Sequence, residues 1–174
     1  MKIIGFLSLL VIVSADLRYD ETLNHFKNRE GFYTTGYLPS PYSGVTIGIG
    51  INLGFQSKTN LISKAVPQSI IDKLDKYLGL KQKTQLDSLG LNPSDLVLTT
   101  TEAEELSRAF IIDSFNYALQ FSQNLNDKGL ATLAYLKYRV GSLNCLKCKL
   151  SATINGVDTN LLWSAIKDNN ATNL

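Results

Sequence analysis

The sequence has few of the residues that bind metal ions or form disulfide networks. Among its 174 residues are two cysteines, Cys145 and Cys148, and a single histidine, His25. Structural zinc needs about four protein ligands, so neither a metal site nor a cofactor is expected. A thioredoxin-like C-x-x-C motif would require a βαβ context, which the pattern lacks. The cysteine pair therefore predicts a local disulfide or two free thiols.

Long apolar runs are also missing. The longest, Ile3 to Val13, is shorter than the roughly 20 residues that span a bilayer. Lys2 precedes this run and Val13-Ser14-Ala15 ends it, a pattern typical of a secretory signal peptide. We expect residues 1–15 to be a signal peptide and residues 16–174 to form one domain. The protein is then secreted or delivered to the lumen of a digestive vacuole, with no membrane partner.

Charge is balanced, with one local exception. The sequence has seventeen Lys and Arg and fifteen Asp and Glu, and it contains no basic block that would suggest a nucleic-acid partner. Between Glu30 and Asp72, however, there is no acidic residue at all. The stretch from Glu30 to Gly54 holds 6 of the 12 glycines.

The residues before that stretch follow a helical pattern. Leu23, Phe26 and Glu30 share one face of a helix predicted from Leu17 to Arg29, with Glu30 as its last residue. Gly31 is the expected stop. Glu30 thus points to the apolar side, where a carboxyl group can serve as a general acid. A solvated carboxylate at a helix end is the plainer alternative.

The glycine-rich stretch then follows a β pattern. The run from Val45 to Ile51 alternates, with Val45, Ile47, Ile49 and Ile51 on one face. Thr46, Gly48, Gly50 and Asn52 lie on the other, which is almost bare and lets another group approach the backbone.

The remainder is predicted to be helical. The ranges are Pro67–Leu78, Gln82–Leu89, Thr101 to about Ser122, Asp127–Val140 and Thr159–Asp168. Thr101 and Glu104 form the expected capping box of the longest helix. One side of this helix is predicted to carry Leu106, Ala109, Phe110, Asp113 and Tyr117, with Phe115 and Leu119 beside them. This order indicates an α+β fold with a small β-hairpin lobe, a larger helical lobe and a cleft between them.

Two motifs carry a family resemblance. Glu30-Gly31, followed by Ser43-Gly44-Val45-Thr46-Ile47-Gly48-Ile49-Gly50 and Asn52-Leu53-Gly54, resembles the phage-type lysozymes and pesticin-like muramidases. Weaker likeness extends over most of the chain. The resemblance implies a lysozyme-like domain over residues 16–174, and a monomeric muramidase that cleaves the β-1,4 bond of bacterial peptidoglycan in an antibacterial or digestive role.

The resemblance also implies catalytic roles. Glu30 matches the general acid and Thr46 matches the threonine that holds the attacking water. The pesticin-like aspartate, six residues after the threonine, is Asn52 here, and the phage-type aspartate position is Ser40. Glycosidases generally use two carboxyl groups. Asp72, Asp75 and Asp113 are the carboxylates of the helical lobe that could approach.

Three functions therefore remain open. The first is a secreted muramidase with Glu30, Thr46 and Asn52 as site residues. The second is a catalytically inactive peptidoglycan-binding homologue, favoured by asparagine at position 52. The third is a structural domain in which the glycines only shape the hairpin, which leaves the order of Thr46, Gly48 and Gly50 unexplained.

Overall fold

The structure, a computed structural model, describes residues 18–120 and 125–140. The predicted signal peptide, both cysteines and the predicted helix Thr159–Asp168 lie outside these ranges. The α-helices of the described residues are α1 (18–30), α2 (Lys58–Ser63), α3 (Gln68–Leu74), α4 (Lys83–Ser88), α5 (Thr100–Leu119) and α6 (Asp127–Val140). The strands are β1 (Tyr33–Tyr37), β2 (Thr46–Gly48) and β3 (Ile51–Asn52). A helical majority with one small antiparallel sheet confirms the α+β class.

Most predicted helices are confirmed, with small shifts at their ends. The predicted helix from Pro67 becomes α3 and a 3₁₀ turn, Asp75–Tyr77, before Gly79 at φ +76°. The helix α2 was missed, because its six residues carry only one buried position, Leu61. No helix among the described residues combines the length and apolarity that a membrane span requires.

The chain divides into two compact units. Residues 27–110 contain the sheet, α2 to α4 and the first half of α5. The other unit contains residues 1–26 and 111–174, of which the start of α1, the end of α5 and α6 are described. Within this second unit Tyr19 packs edge-on against Phe115 at 4.6 Å, and Phe26 contacts Tyr135 at 5.3 Å between ring centroids.

The sheet has the order β1-β2-β3, with both pairs antiparallel. The outer edge of β1 is also covered. The Gly36 N–H donates to the Leu96 carbonyl and the Leu98 N–H to the Thr34 carbonyl, both at 2.8 Å. Residues 96–98 thus lie on one side of β1, and β3 lies on the opposite edge of the sheet.

The alternating run from Val45 to Ile51 is divided by a turn into the two strands β2 and β3 of the predicted β-hairpin lobe. Gly48 (φ +63°) and Gly50 (φ +84°) turn the chain back, so that β2 and β3 form a hairpin. Glycine is needed here because a Cβ disfavours positive φ. The predicted apolar face is confirmed in its burial, since Val45, Ile47, Ile49 and Ile51 are each at most 2% exposed.

The bare face of this segment is covered by the chain itself. A methyl group built onto Gly48 would lie 2.9 Å from Oγ of Ser107 and 3.7 Å from the Ala103 carbonyl oxygen, both on α5. The Ser107 hydroxyl is fully buried and donates to that carbonyl at 2.6 Å. The small residues of α5 thus let the helix approach the hairpin backbone.

We expect Gly48→Ala to lower the free energy of unfolding by about 2–3 kcal/mol, from positive-φ strain and overpacking against Ser107. Gly79→Ala is the matched control, because Gly79 also has positive φ but has nothing within 4 Å of an added methyl group. It should cost only about 1 kcal/mol of backbone strain. Urea denaturation measures both. Equal losses in the two variants would rule out the close approach of α5 to Gly48.

The predicted capping box of α5 is two residues out of place. Thr99 is the N-cap: its hydroxyl accepts from the Glu102 N–H, and its own N–H donates to Glu102 Oε2 at 2.8 Å. The hydrogen bond from Lys73, together with that N–H, holds the pKa of Glu102 below its usual range. Glu104 is instead paired with Lys27.

The side of α5 predicted from its large residues is only partly the buried one. Of the seven residues placed there, Leu106 and Phe115 are buried, whereas Asp113 is exposed. The buried stripe combines small and large side chains: Ala103, Leu106, Ser107, Ile111, Ser114, Phe115 and Ala118. The prediction followed the largest residues, whereas close backbone packing at Gly48 requires small ones on that face.

Candidate active site

Glu30 is the last residue of α1, as predicted, and Gly31 follows at φ +82°. This end of the helix lies against the β2–β3 turn. A methyl group built onto Gly50 would lie 3.9 Å from Oε2 of Glu30 and 4.0 Å from its Cβ. The absence of a side chain at Gly50 therefore leaves room for the carboxyl group beside the hairpin.

Thr46 and Asn52 are brought together by the hairpin. They are direct partners across β2 and β3, and Tyr37 is the partner of Thr46 on β1. Tyr37, Thr46 and Asn52 thus form one row across the three strands. Directly opposed residues of antiparallel strands project to the same side of a sheet, so the row forms one polar line across the three strands. The charge of Glu30 acts on this row at Tyr37, whose phenol pKa it helps to raise.

The side chain of Asn52 is held by the loops around it. Its Oδ1 accepts from the Gly54 N–H and its Nδ2 donates to Ser43 Oγ, both at 2.9 Å. Asn52 is thereby the N-cap of the 3₁₀ turn Leu53–Phe55. A methyl group on Gly44 would lie 2.5 Å from Asn52 Oδ1, so glycine at 44 makes room for this amide.

The hydroxyl of Thr46 is buried. The residue is 3% exposed, and its Oγ1 donates to the Gly44 carbonyl at 3.3 Å. Its lone pairs can accept one further hydrogen bond, for instance from a water molecule. Thr46 and Asn52 are therefore linked twice: they are opposed in the sheet, and both side chains are packed against the Ser43-Gly44 segment.

Tyr33 and Tyr37 belong to this region and were not predicted as site residues. Their ring centroids are 4.4 Å apart. Burial raises the pKa of the Tyr37 phenol above its ordinary value, and Tyr33 and the charge of Glu30 raise it further. The sequence shows the two tyrosines four residues apart on one predicted strand. A regular strand would hold their rings too far apart to touch, so their contact could not be predicted.

Asp72 and Asp75, two of the carboxylates that could approach, lie on α3 and directly after it. Asp72 accepts a hydrogen bond from Gln68 and borders an open depression of about 410 Å³, formed with Lys73, Lys76, Asp95, Leu96 and Val97. Val97 bridges to Thr35 on the outer edge of β1, whereas Asn52 is on β3. Val97 and Asn52 are therefore separated by three strand spacings, about 14 Å. Asp75 is exposed at the C-terminal end of α3, and Asp113 belongs to the other unit.

The phage-type position, Ser40, is exposed in the loop between β1 and β2, where its carbonyl accepts from the Ser43 N–H at 3.1 Å. The hairpin region brings the carboxyl group of Glu30 together with the hydroxyl of Thr46 and the amide of Asn52 on the neighbouring strands. Within residues 18–120 and 125–140, no three His, Cys, Asp or Glu side chains come together as a metal site would require.

This arrangement agrees with a comparison against known families. Residues 20–140 match the family described as "Pesticin: Bacterial toxin homologue of phage lysozyme, C-term". The match covers α1 from residue 20 onward, the whole sheet and every further helix named above. No curated protein sequence matches the chain. The chain belongs to the pesticin family of phage-lysozyme homologues.

Proposed function

We propose that the protein is a secreted muramidase that hydrolyses the β-1,4 glycosidic bond of bacterial peptidoglycan. The observation that carries the proposal is the placement of Glu30, a carboxyl group at a helix end against the Gly50 turn, in a chain of a lysozyme-type family. Membership of that family supports peptidoglycan as the substrate class.

In this reaction Glu30 donates its proton to the glycosidic oxygen as the bond to the leaving sugar breaks. A water molecule attacks the anomeric carbon from the opposite face of the sugar ring. Thr46 Oγ1 and the Asn52 amide orient that water, because they are opposed on β2 and β3. Asparagine offers no basic oxygen, so the water is held by hydrogen bonds and its proton passes to solvent.

A second function is favoured by one specific observation. Both polar atoms of Asn52 are engaged, by Ser43 and by Gly54, so the residue serves the local structure of the hairpin. A peptidoglycan-binding protein that keeps the sugar site and lacks turnover would have this arrangement. It would bind sacculi saturably and release no reducing ends.

Assays of the wild-type protein distinguish hydrolysis from binding alone. We expect incubation with purified peptidoglycan to release new reducing ends in proportion to time and protein concentration, and to lower the turbidity of a sacculus suspension. Co-sedimentation with the same sacculi measures binding alone. Saturable co-sedimentation without release of reducing ends would select the binding function. Absence of both co-sedimentation and reducing ends would exclude both functions.

Secretion is part of the proposal, since a protein that leaves the cell that makes it can meet the walls of other bacteria. The residues that support it are Lys2 and the apolar run that follows. N-terminal sequencing of the protein recovered from culture medium, with Asp16 as the expected first residue, tests this part.

A further inference from the structure

The ring pair of Tyr33 and Tyr37 is built by an irregularity of β1. In the register with β2, Tyr33 opposes Gly48 and Tyr37 opposes Thr46, so four steps along β1 match two along β2. A regular strand would place the two Cα atoms about 13 Å apart. The bulge shortens this separation, and the rings meet at 4.4 Å with a 46° tilt.

The ring of Tyr33 is fixed on a second side by the backbone. A methyl group built onto Gly31 would lie 2.7 Å from Cε2 of Tyr33 and 3.0 Å from its hydroxyl oxygen. Gly31 directly follows Glu30, so the ring lies over the peptide next to the candidate acid. Although it is held by Gly31 and Tyr37, Tyr33 remains 43% exposed.

A fixed and partly exposed aromatic ring beside a carboxyl group has the chemistry of a sugar-binding surface. The face of an aromatic ring carries partial negative charge and attracts the C–H groups on the apolar face of a pyranose. Tyrosine offers this area at low cost in side-chain entropy, and its hydroxyl can bond a sugar hydroxyl or acetamido group. Tyr37 is less exposed, and its ring contacts that of Tyr33.

We propose that Tyr33, braced by Tyr37 and Gly31, is the platform on which one pyranose ring of the glycan stacks beside Glu30. The inference rests on the proposed function for the identity of the ligand, a glycan of N-acetylated sugars, and adds the residue that holds it. Tyr33 touches the ligand, whereas Tyr37 and Gly31 are positioning residues that set the angle of its ring.

The alternative is that the pair only stabilises the bulge of β1. The two roles differ in what they require at position 33. A structural role is satisfied by any apolar side chain that fills the same space, whereas stacking requires an aromatic face. Tyr33→Phe keeps the ring, Tyr33→Leu keeps apolar bulk without a ring, and Tyr33→Ala removes both.

The test measures binding of an N-acetylglucosamine–N-acetylmuramic acid tetrasaccharide by calorimetry, in the full chain carrying Glu30→Gln so that turnover does not interfere. Tyr33→Ala and Tyr33→Leu should each raise Kd about tenfold or more, as loss of an aromatic anchor does, while Tyr33→Phe should leave it near the parent value. Tyr42→Ala is the matched control, since Tyr42 is 85% exposed in the following loop; it should bind as the parent does. Thermal unfolding shows that each variant is folded.

Binding of the Tyr33→Leu variant at the parent affinity would overturn the platform, whether or not the wild type hydrolyses peptidoglycan. Equal weakening by Tyr33→Leu and Tyr42→Ala would overturn it as well. A loss confined to Tyr33→Leu and Tyr33→Ala supports the platform even if the wild type releases no reducing ends, in which case only the hydrolase proposal fails.

Discussion

Replacement of Glu30 by glutamine is expected to lower the rate of peptidoglycan hydrolysis by roughly 10²–10⁴-fold, which is the usual contribution of a general acid. Glutamine has nearly the same shape as glutamate and cannot donate a proton of suitable acidity. Its contacts with Gly50 should be kept, because only one oxygen of the carboxyl group is exchanged for nitrogen. Release of reducing ends from purified peptidoglycan measures the loss.

A charge-matched control separates chemistry from electrostatics. Glu21 is exposed on the same helix, α1, and Glu21→Gln removes the same charge; its activity should equal that of the wild type. Because the charge of Glu30 helps to raise the pKa of the Tyr37 phenol, Glu30→Gln should also lower that pKa toward its ordinary value. An NMR titration detects this shift. Hydrolysis by a folded Glu30→Gln protein at the wild-type rate would exclude Glu30 as the acid.

The position of Glu30 could be predicted because its determinants are local. Leu23 and Phe26 are 2% and 0% exposed, as the helical spacing required, and Gly31 ends the helix through its positive φ. Periodicity and a glycine stop are encoded within one short segment. The sequence therefore predicted the place of Glu30 at the end of α1.

A β-hairpin lobe was predicted, but the position of its turn could not be predicted in the same way. Alternating Val and Ile favour one long strand, and nothing within that segment requires a turn at Gly50. The turn uses the positive φ of Gly48 and Gly50, and α5 packs at Gly48 through Ser107 while the end of α1 lies beside Gly50. The bulge of β1 likewise depends on the register between two strands, which neither strand specifies alone.

The role of Asn52 shows the same limit. The alternation of the sequence predicted that Asn52 lies on the strand face that carries few side chains, where its amide would be open to a ligand. Its amide is instead turned to Ser43 and Gly54, since an asparagine side chain readily caps a turn that begins beside it. The residue type at position 52 was predicted to matter, and its hydrogen bonds give a structural reason why asparagine is accepted there.

Conversion of Asn52 to aspartate is expected to raise the rate of peptidoglycan hydrolysis by at least about tenfold, within the range that a positioned base supplies. The carboxylate would stand opposite Thr46 in the hairpin, where it can accept the proton of the attacking water. It would be the first acidic residue between Glu30 and Asp72. Reducing-end release by Asn52→Asp and wild type, assayed side by side, measures the gain.

The substitution should leave the fold intact, which makes the comparison informative. One carboxylate oxygen can keep the hydrogen bond from the Gly54 N–H. Ser43, whose hydroxyl now donates to the Gly44 carbonyl at 3.1 Å, can turn its proton to the other oxygen. We expect the free energy of unfolding to change by no more than about 1 kcal/mol, the net value of one hydrogen bond.

Ser40→Asp is the control that tests the position of the second carboxylate. It adds the same charge at the phage-type position, in the exposed loop between β1 and β2. A gain in Asn52→Asp but not in Ser40→Asp would show that the missing group belongs on β3, opposite Thr46. Equal activity of Asn52→Asp and wild type, with both proteins folded, would contradict this. Asn52 would then be a structural cap, and Glu30 would act with a water that needs no protein base.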